Sequence, residues 1–369
     1  TCCQATGELY SAEADGRVWV WEPASSSAEE VVYRSRQIGG HGSAVLCMVW
    51  DETLNALITG CEDHSVRIWG QGTITREADA SLKTADGTPA SSLCIPSALT
   101  EHKERVSALA CAVPKDSGKH FAISGGWDGF ICCWNTQQPG LVWKVEGAHD
   151  SHILDIAYSP ETNEFAVCTA GESEVHVWHL EKHKSVRLLA GHDGEVTQIK
   201  WNEVNKEWVT SSHDHTIKTW AIDGVALQSI ETEGDIPAMC IDLETGFIVA
   251  AGNDHSLRLY DMSGPFTSSY KIGVGHEDGV IAIVHLKKYG HYITTSWDKS
   301  IRVWNARLPD DLDDGPQAPI VPRLKPSTAA AAAADDRPGT ALPPPDSPST
   351  STLSPTSARS TKGKVFSTN

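Results

Sequence analysis

The sequence is short of positive charge and of long apolar runs, and it carries none of the short motifs that mark catalysis. Its 30 Lys and Arg stand against 48 Asp and Glu, a formal charge of −18 with a pI near 5.3. Residues 306–369 hold seven Lys or Arg and seven Asp, so the whole excess falls on residues 1–305. So acidic a surface repels phosphate backbones and anionic lipid, which weighs against nucleic acid and membranes. It favours a protein or peptide partner of basic character. No run approaches the ~20 apolar residues of a membrane helix and no secretory leader is visible, so an intracellular setting, cytoplasmic or nuclear, is expected. The ten cysteines show no Cys-x-x-Cys or Cys/His pairing of zinc type. Cys47, Cys61, Cys111, Cys168 and Cys240 lie in strand-like segments, where free Cys behaves as a small buried apolar residue. Cys132 and Cys133 are adjacent on one strand and point to opposite faces. A Gly-rich phosphate loop is also missing. No metal and no cofactor is expected.

What is present is a repeat. Residues 191–220 read GHDGEVTQIKWNEVNKEWVTSSHDHTIKTW: a Gly-His pair, then three short apolar-alternating runs separated by Asn/Lys and Asp-His turns. Runs of this kind are antiparallel strands. An Asp stands six residues before a closing aromatic at Asp15 (Trp21), Asp63 (Trp69), Asp128 (Trp134), Asp214 (Trp220), Asp254 (Tyr260) and Asp298 (Trp304), with Glu172 before Trp178. The spacings are 48, 65, 44, 42, 40 and 44 residues. Self-similarity at roughly 40–45 residues marks four-stranded propeller blades.

The chain resembles the WD40-repeat family over about residues 7–305. The resemblance implies an all-β, seven-bladed propeller with a Trp-Asp dipeptide degenerate in almost every repeat. It also implies a buried hydrogen-bonded chain in each full blade: the Gly-His imidazole, a hydroxyl on the second strand, the turn carboxylate and the indole N–H. The matching sets are His41, Thr59, Asp63, Trp69; His102, Ser124, Asp128, Trp134; His192, Thr210, Asp214, Trp220; and His276, Thr294, Asp298, Trp304. The blade ending at Trp178 keeps His149 and carries Cys168 and Glu172 in the other slots. The blade ending at Tyr260 has Ala250 and no His, so these two blades are expected to be the softer ones. A His, a hydroxyl and an Asp repeated once per blade are architecture, so no catalytic residue is assigned and the chain is read as a non-enzyme.

Residues 1–305 are read as the propeller and 306–369 as an Ala/Pro/Ser-rich tail with too little apolar content to order. The insertion 71–99, rich in small polar residues, is read as a loop between the third and fourth strands of its blade. The first blade has no Gly-His segment and residues 2–6 are short for a strand, so the chain is expected to be a piece of a longer product.

In the family's order, the residue before each turn Asp faces out on the narrower face: Ala14, Glu62, Trp127, Gly171, His213, Asn253 and Trp297. Residues after Gly-His share that rim, among them Glu104, Arg105, Asp150, His152, Asp193, Glu195, Glu277 and Asp278. An acidic rim carrying two tryptophans suits a ligand with Arg or Lys, by charge pairing and cation–π contact. Trp127, Trp297, Glu62, Arg105, His152, Glu195, His213 and Asn253 are the expected partner-binding residues. His64, His215 and His255 follow turn carboxylates in different blades, too far apart to share an ion, and are read as turn residues. The function expected is a non-catalytic protein-interaction scaffold in an intracellular complex. The alternative is a substrate receptor of a cullin–RING ubiquitin ligase, docking through the Trp-Asp-x-Arg-like element Trp304 to Arg307, where Asn305 replaces the Asp.

Overall fold

Alternating apolar runs ended by Gly, Asn or His in a left-handed turn fold as antiparallel hairpins. The computed structural model describes residues 1–26, 31–70, 96, 98–115, 117–252, 254–262 and 268–305, and these form seven antiparallel sheets. The described residues lie in one unit, Thr1–Ser327; a second unit, Thr328–Asn369, falls outside them, as does the tail from 306 onward. Blade one holds Leu9–Ala12, Arg17–Ser26 and Val31–Gly40, and blade two Val45–Asp51, Ala56–Cys61 and Val66–Trp69. Blade three is Val106–Ala112, Phe121–Gly126, Ile131–Asn135 and Gly140–Val145; blade four is Ile153–Ser159, Glu164–Thr169, Val175–His179 and Lys184–Leu189. Blade five is Val196–Asn202, Glu207–Ser212, Thr216–Trp220 and Ala226–Glu231. Blade six is Ala238–Ile241, Ile248–Ala251, Ser256–Asp261 and Ser268–Val274, and blade seven Val280–Leu286, His291–Ser296 and Ile301–Asn305.

A four-stranded sheet has two apolar faces and cannot bury them alone; each blade buries them against its neighbours. Seven apolar clusters result, one at each blade junction. Tyr10, Val18 and Ile38 of blade one pack on Trp50, Leu57 and Trp69 of blade two, and the series continues round to Leu257 and Ile272 of blade six against Ile283 and Trp304 of blade seven. The last junction closes the ring: Cys2, Leu9 and Tyr33 pack on Leu286, Ile293 and Val303. Closure leaves few sheet edges free to pair with other chains.

Two segments differ from the expectation. Cys2 bridges Leu9, so the first residues take the inner position of blade one despite their shortness. Gln4 ties them to blade seven, donating from Nε2 to the His285 carbonyl at 2.6 Å and accepting from the Lys287 N–H at 2.8 Å. In blade two, Leu99 exchanges both backbone hydrogen bonds with Val66, 2.9 and 3.0 Å. The end of the insertion thus lies beside the third strand where a fourth strand was expected; residues 71–95 and 97 lie outside the described residues.

Candidate functional site

The tetrads fix where the rim loops sit. In blade five, His192 Nδ1 is 2.7 Å from Asp214 Oδ2 and Nε2 is 2.7 Å from Thr210 Oγ1, which accepts from Trp220 Nε1 at 2.8 Å. A carboxylate only accepts, so Nδ1 carries the proton, Nε2 accepts from the hydroxyl, and the hydroxyl oxygen accepts from the indole. Blade seven repeats this with His276, Asp298, Thr294 and Trp304 at 2.8, 2.7 and 2.9 Å. Blade three does so with His102, Ser124, Asp128 and Trp134 at 2.8–3.1 Å. In blade two, Thr59 bonds both His41 (2.6 Å) and Trp69 (2.9 Å), while the Asp63 carboxylate stands 3.4 Å from the ring. Burial drives His41 down to about 4 against the pull of Asp63. Burial alone would raise Asp63, but hydrogen bonds, led by the one from Ser65, hold it down at about 2. The same carboxylates clamp the rim: Asp128, Asp214 and Asp298 accept from the N–H of Lys103, Asp193 and Glu277 at 2.7, 3.0 and 3.2 Å.

Blade one carries a partial set that the sequence reading missed: Ser11 Oγ accepts from Trp21 Nε1 at 2.8 Å. In blade six, which lacks the His, Arg258 reaches Asp254 at 2.7 Å and Glu233 at 2.5 Å.

Blade four needs a correction. The tetrad hydroxyl pairs across the sheet with the residue two before the Trp, as Thr210 does with Lys218 and Thr59 with Arg67. In blade four that partner of His176 is Val167, not Cys168. Val167 lies in the same apolar cluster as Trp178, whereas Cys168 faces blade five and its thiol donates to the Asp155 carbonyl at 3.6 Å. The turn after this strand is one residue longer than in blade five. Its left-handed residue is Gly171 (φ 78°), whereas the siblings place theirs just after the carboxylate, as at His64, His215 and His255. A valine offers no hydroxyl, and His149 Nε2 and Trp178 Nε1 are buried without partners. Burial lowers the His149 pKa to about 4.

Four of the expected rim residues come together across three blades. Arg105 pairs with Glu62 at 3.3 Å and lies over the Trp127 ring, 4.1 Å from its centroid. Trp127 in turn stacks on His152, with centroids 4.3 Å apart and planes 7° from parallel. Trp127 is therefore 37% exposed and already engaged by its neighbours. Glu195 and His213 form a second group. Glu195 accepts from the Gly171 N–H at 2.6 Å, and His213 donates its N–H to the Glu195 carbonyl at 2.9 Å. Asp235, which the sequence reading missed, draws both His213 (3.1 Å) and His215 (3.2 Å). Asn253 lies outside the described residues.

Trp297 is different. At 68% it is the most exposed large apolar side chain among the described residues. Its backbone is held: Trp297 N–H donates to the Gly279 carbonyl at 3.0 Å, and the next residue is the tetrad carboxylate Asp298. Glu277 and Asp278, both exposed, follow the tetrad histidine on the loop it pairs with.

Comparison with known proteins agrees with this architecture. The family model described as WD domain, G-beta repeat, matches residues 33–70, 93–135, 183–221 and 267–305. An uncharacterised WD repeat-containing protein of Schizosaccharomyces pombe is 27% identical over 299 residues, covering 76% of this chain and 72% of its own length. The periodic tryptophan protein 2 homolog of Dictyostelium discoideum is 27% identical over 53% of this chain, which spans 22% of that relative. A ribosome biogenesis protein WDR12 homolog of Drosophila mojavensis is 22% identical over 71% of this chain and 64% of its own. Among solved structures, the WD40 β-propeller domain of Doa1 superposes with a TM-score of 0.63 at 18% identity, over 81% of this chain and 90% of that one.

Proposed function

From the premise that the chain belongs to the WD40-repeat β-propeller family, we propose that it is a non-catalytic scaffold holding a protein partner on its narrower face. The observation that carries this reading is Trp297. A tryptophan two-thirds exposed on a turn fixed by a buried network presents a large contact area at little entropic cost on binding. The exposed carboxylates Glu277 and Asp278 beside it, with Glu104, Asp150 and Asp193 further round, give that anchor an acidic surround. The partner is a segment rich in Arg or Lys, attracted by charge and seated on the indole by cation–π contact. The Glu62–Arg105–Trp127–His152 group is a pre-formed flank to this anchor. The setting is intracellular, in keeping with relatives whose names refer to ribosome biogenesis; among the described residues no helix is long and apolar enough to cross a membrane.

The experiment is affinity capture from cell extract with wild type beside Trp297→Ala and Glu277→Lys/Asp278→Lys. The reading expects both variants to lose the same set of proteins, and wild-type capture to weaken as salt is raised. Unchanged capture by Trp297→Ala removes the narrow-face site. The ubiquitin-ligase receptor reading has no observation in its favour among the described residues: Trp304 is buried in its tetrad and Arg307 lies outside them. A cullin adaptor retained by every variant would carry it.

A further inference from the structure

Blade four departs from most of its siblings two residues before the closing aromatic. Four residues after the turn carboxylate, blades two, five, six and seven carry Arg67, Lys218, Arg258 and Arg302. Arg258 reaches its carboxylate at 2.7 Å, and Arg67 and Arg302 reach theirs at 4.0 Å. A cation fixed there repels any metal ion. Blade four has His176 instead, a neutral donor when unprotonated.

The geometry around it is that of a ligand set. His176 Nε2 lies 3.5 Å from Glu172 Oε2. Two ligands each ~2.1 Å from one tetrahedral zinc ion stand about 3.4 Å apart. The His149 ring meets the His176 ring edge-on, with centroids 4.8 Å apart. One ligand atom from each of His149, Glu172 and His176 can be chosen so that all lie within 4.8 Å of one another. A tetrahedral ion requires the longer sides of that triangle to contract to about 3.4 Å. The Thr169 hydroxyl donates to Glu172 Oε2 at 2.7 Å and orients the carboxylate, the role of an outer-shell partner at metal sites. His149 is buried, and no hydrogen bond ties its ring to the turn carboxylate as Asp214 ties that of His192. The side chains of Glu172 and His176 are about one-third exposed, 36% and 29%, which opens a path from solvent. His41, Cys61 and Asp63 come as close to one another. There, however, Thr59 occupies one ring nitrogen and Ser65 and Arg67 the other.

We propose that blade four binds one zinc-type divalent transition-metal ion through His149, Glu172 and His176, with water in the remaining position. Two imidazoles and one carboxylate select zinc, cobalt or copper over magnesium and calcium. The ion ties the loop carrying His149 to the turn carrying Glu172, the connection that the Asp–His pair makes in blades three, five and seven. This inference is independent of the partner site on blade seven.

The test uses the full chain without an affinity tag, stripped with EDTA and titrated calorimetrically with ZnCl2. One ion per chain is expected, and Co2+ in its place should show the visible absorption of a tetrahedral site. His176→Arg, which installs the residue of blades two, six and seven, should bind zinc about 100-fold more weakly or not at all. Its urea midpoint in EDTA should match wild type, showing that the variant folds. Thr169→Val should weaken binding about 10-fold. Absence of a stoichiometric zinc isotherm in wild type overturns the proposal. So does equal binding by His176→Arg, or a Mg2+ titration that reproduces the zinc one.

Discussion

Thr210→Val keeps the side-chain shape and removes one oxygen from the centre of blade five. That oxygen accepts from Trp220 Nε1 at 2.8 Å and, through its proton, satisfies His192 Nε2 at 2.7 Å. Thr210 and Trp220 are fully buried and His192 nearly so, so water cannot replace it. Leaving a buried donor and a buried acceptor unpaired costs about 1–3 kcal/mol each. The added methyl returns about 0.8 kcal/mol. The net loss should be about 1–5 kcal/mol, read as a lower urea midpoint at unchanged slope. The converse substitution supplies the control. Val167→Thr puts a hydroxyl where His149 Nε2 and Trp178 Nε1 have no partner. It should stabilise the chain by about 1 kcal/mol in EDTA, the net worth of two hydrogen bonds less the lost methyl burial. A Thr210→Val protein within 0.5 kcal/mol of wild type refutes the reasoning, as does a Val167→Thr protein destabilised to the same extent as Thr210→Val (about 0.5 kcal/mol being the usual reach of a surface change).

Other outcomes follow from the same contacts. His41 titrates near 4 when folded and near 6.5 when unfolded, so the unfolded chain binds the extra proton between those values. Stability should therefore fall as pH drops from 6.5 to 4, by up to about 1.4 kcal/mol per pH unit from this group. A urea midpoint that is flat or rising towards pH 4.5 contradicts that assignment. Gly129 sits at φ 68° with the His149 carbonyl 2.1 Å from where a Cβ would lie, so Gly129→Ala should cost well over the ~1 kcal/mol of a left-handed alanine. Gly118→Ala, at φ 60° with open space around it, should cost only about that ~1 kcal/mol; equal midpoints for the two would remove the steric argument. Arg105→Ala uncovers Trp127 and should red-shift its emission while costing under about 1 kcal/mol, since the Glu62 pair is half-exposed.

The fold was legible because one pattern recurs. The turn carboxylate, the His and the Trp stand at nearly constant spacing, and a misreading in one blade is corrected by its neighbours. Blade four escaped for a definable reason. Its second strand, Glu164–Thr169, is apolar on both faces from Phe165 to Cys168, so no hydroxyl marks the tetrad position, and the extra turn residue at Gly171 shifts the count by one. Counting back from Trp178 lands on Cys168, whereas counting along the strand from Phe165, which pairs with Trp178, lands on Val167. The closure through Cys2 and the edge made by Leu99 were hidden because each rests on a single bridge, too short to leave a period. On the rim, the sequence placed Trp127 and Trp297 alike, each before a turn Asp. Their difference lies in what the loop of the next blade brings over: His152 stacks on Trp127, and Arg105 covers it from its own blade. Such contacts between loops far apart in the chain have no local signature.

Photo-crosslinking decides whether the narrower face is the working surface and Trp297 its anchor. A photoreactive amino acid is placed at position 297 in one protein and, in another, at Glu181, on the loop at the opposite end of blade four. A discrete crosslinked partner is expected from position 297, competed by a basic peptide taken from that partner, and none from 181. Crosslinking from 181 with none from 297 would contradict that expectation and move the partner to the other face.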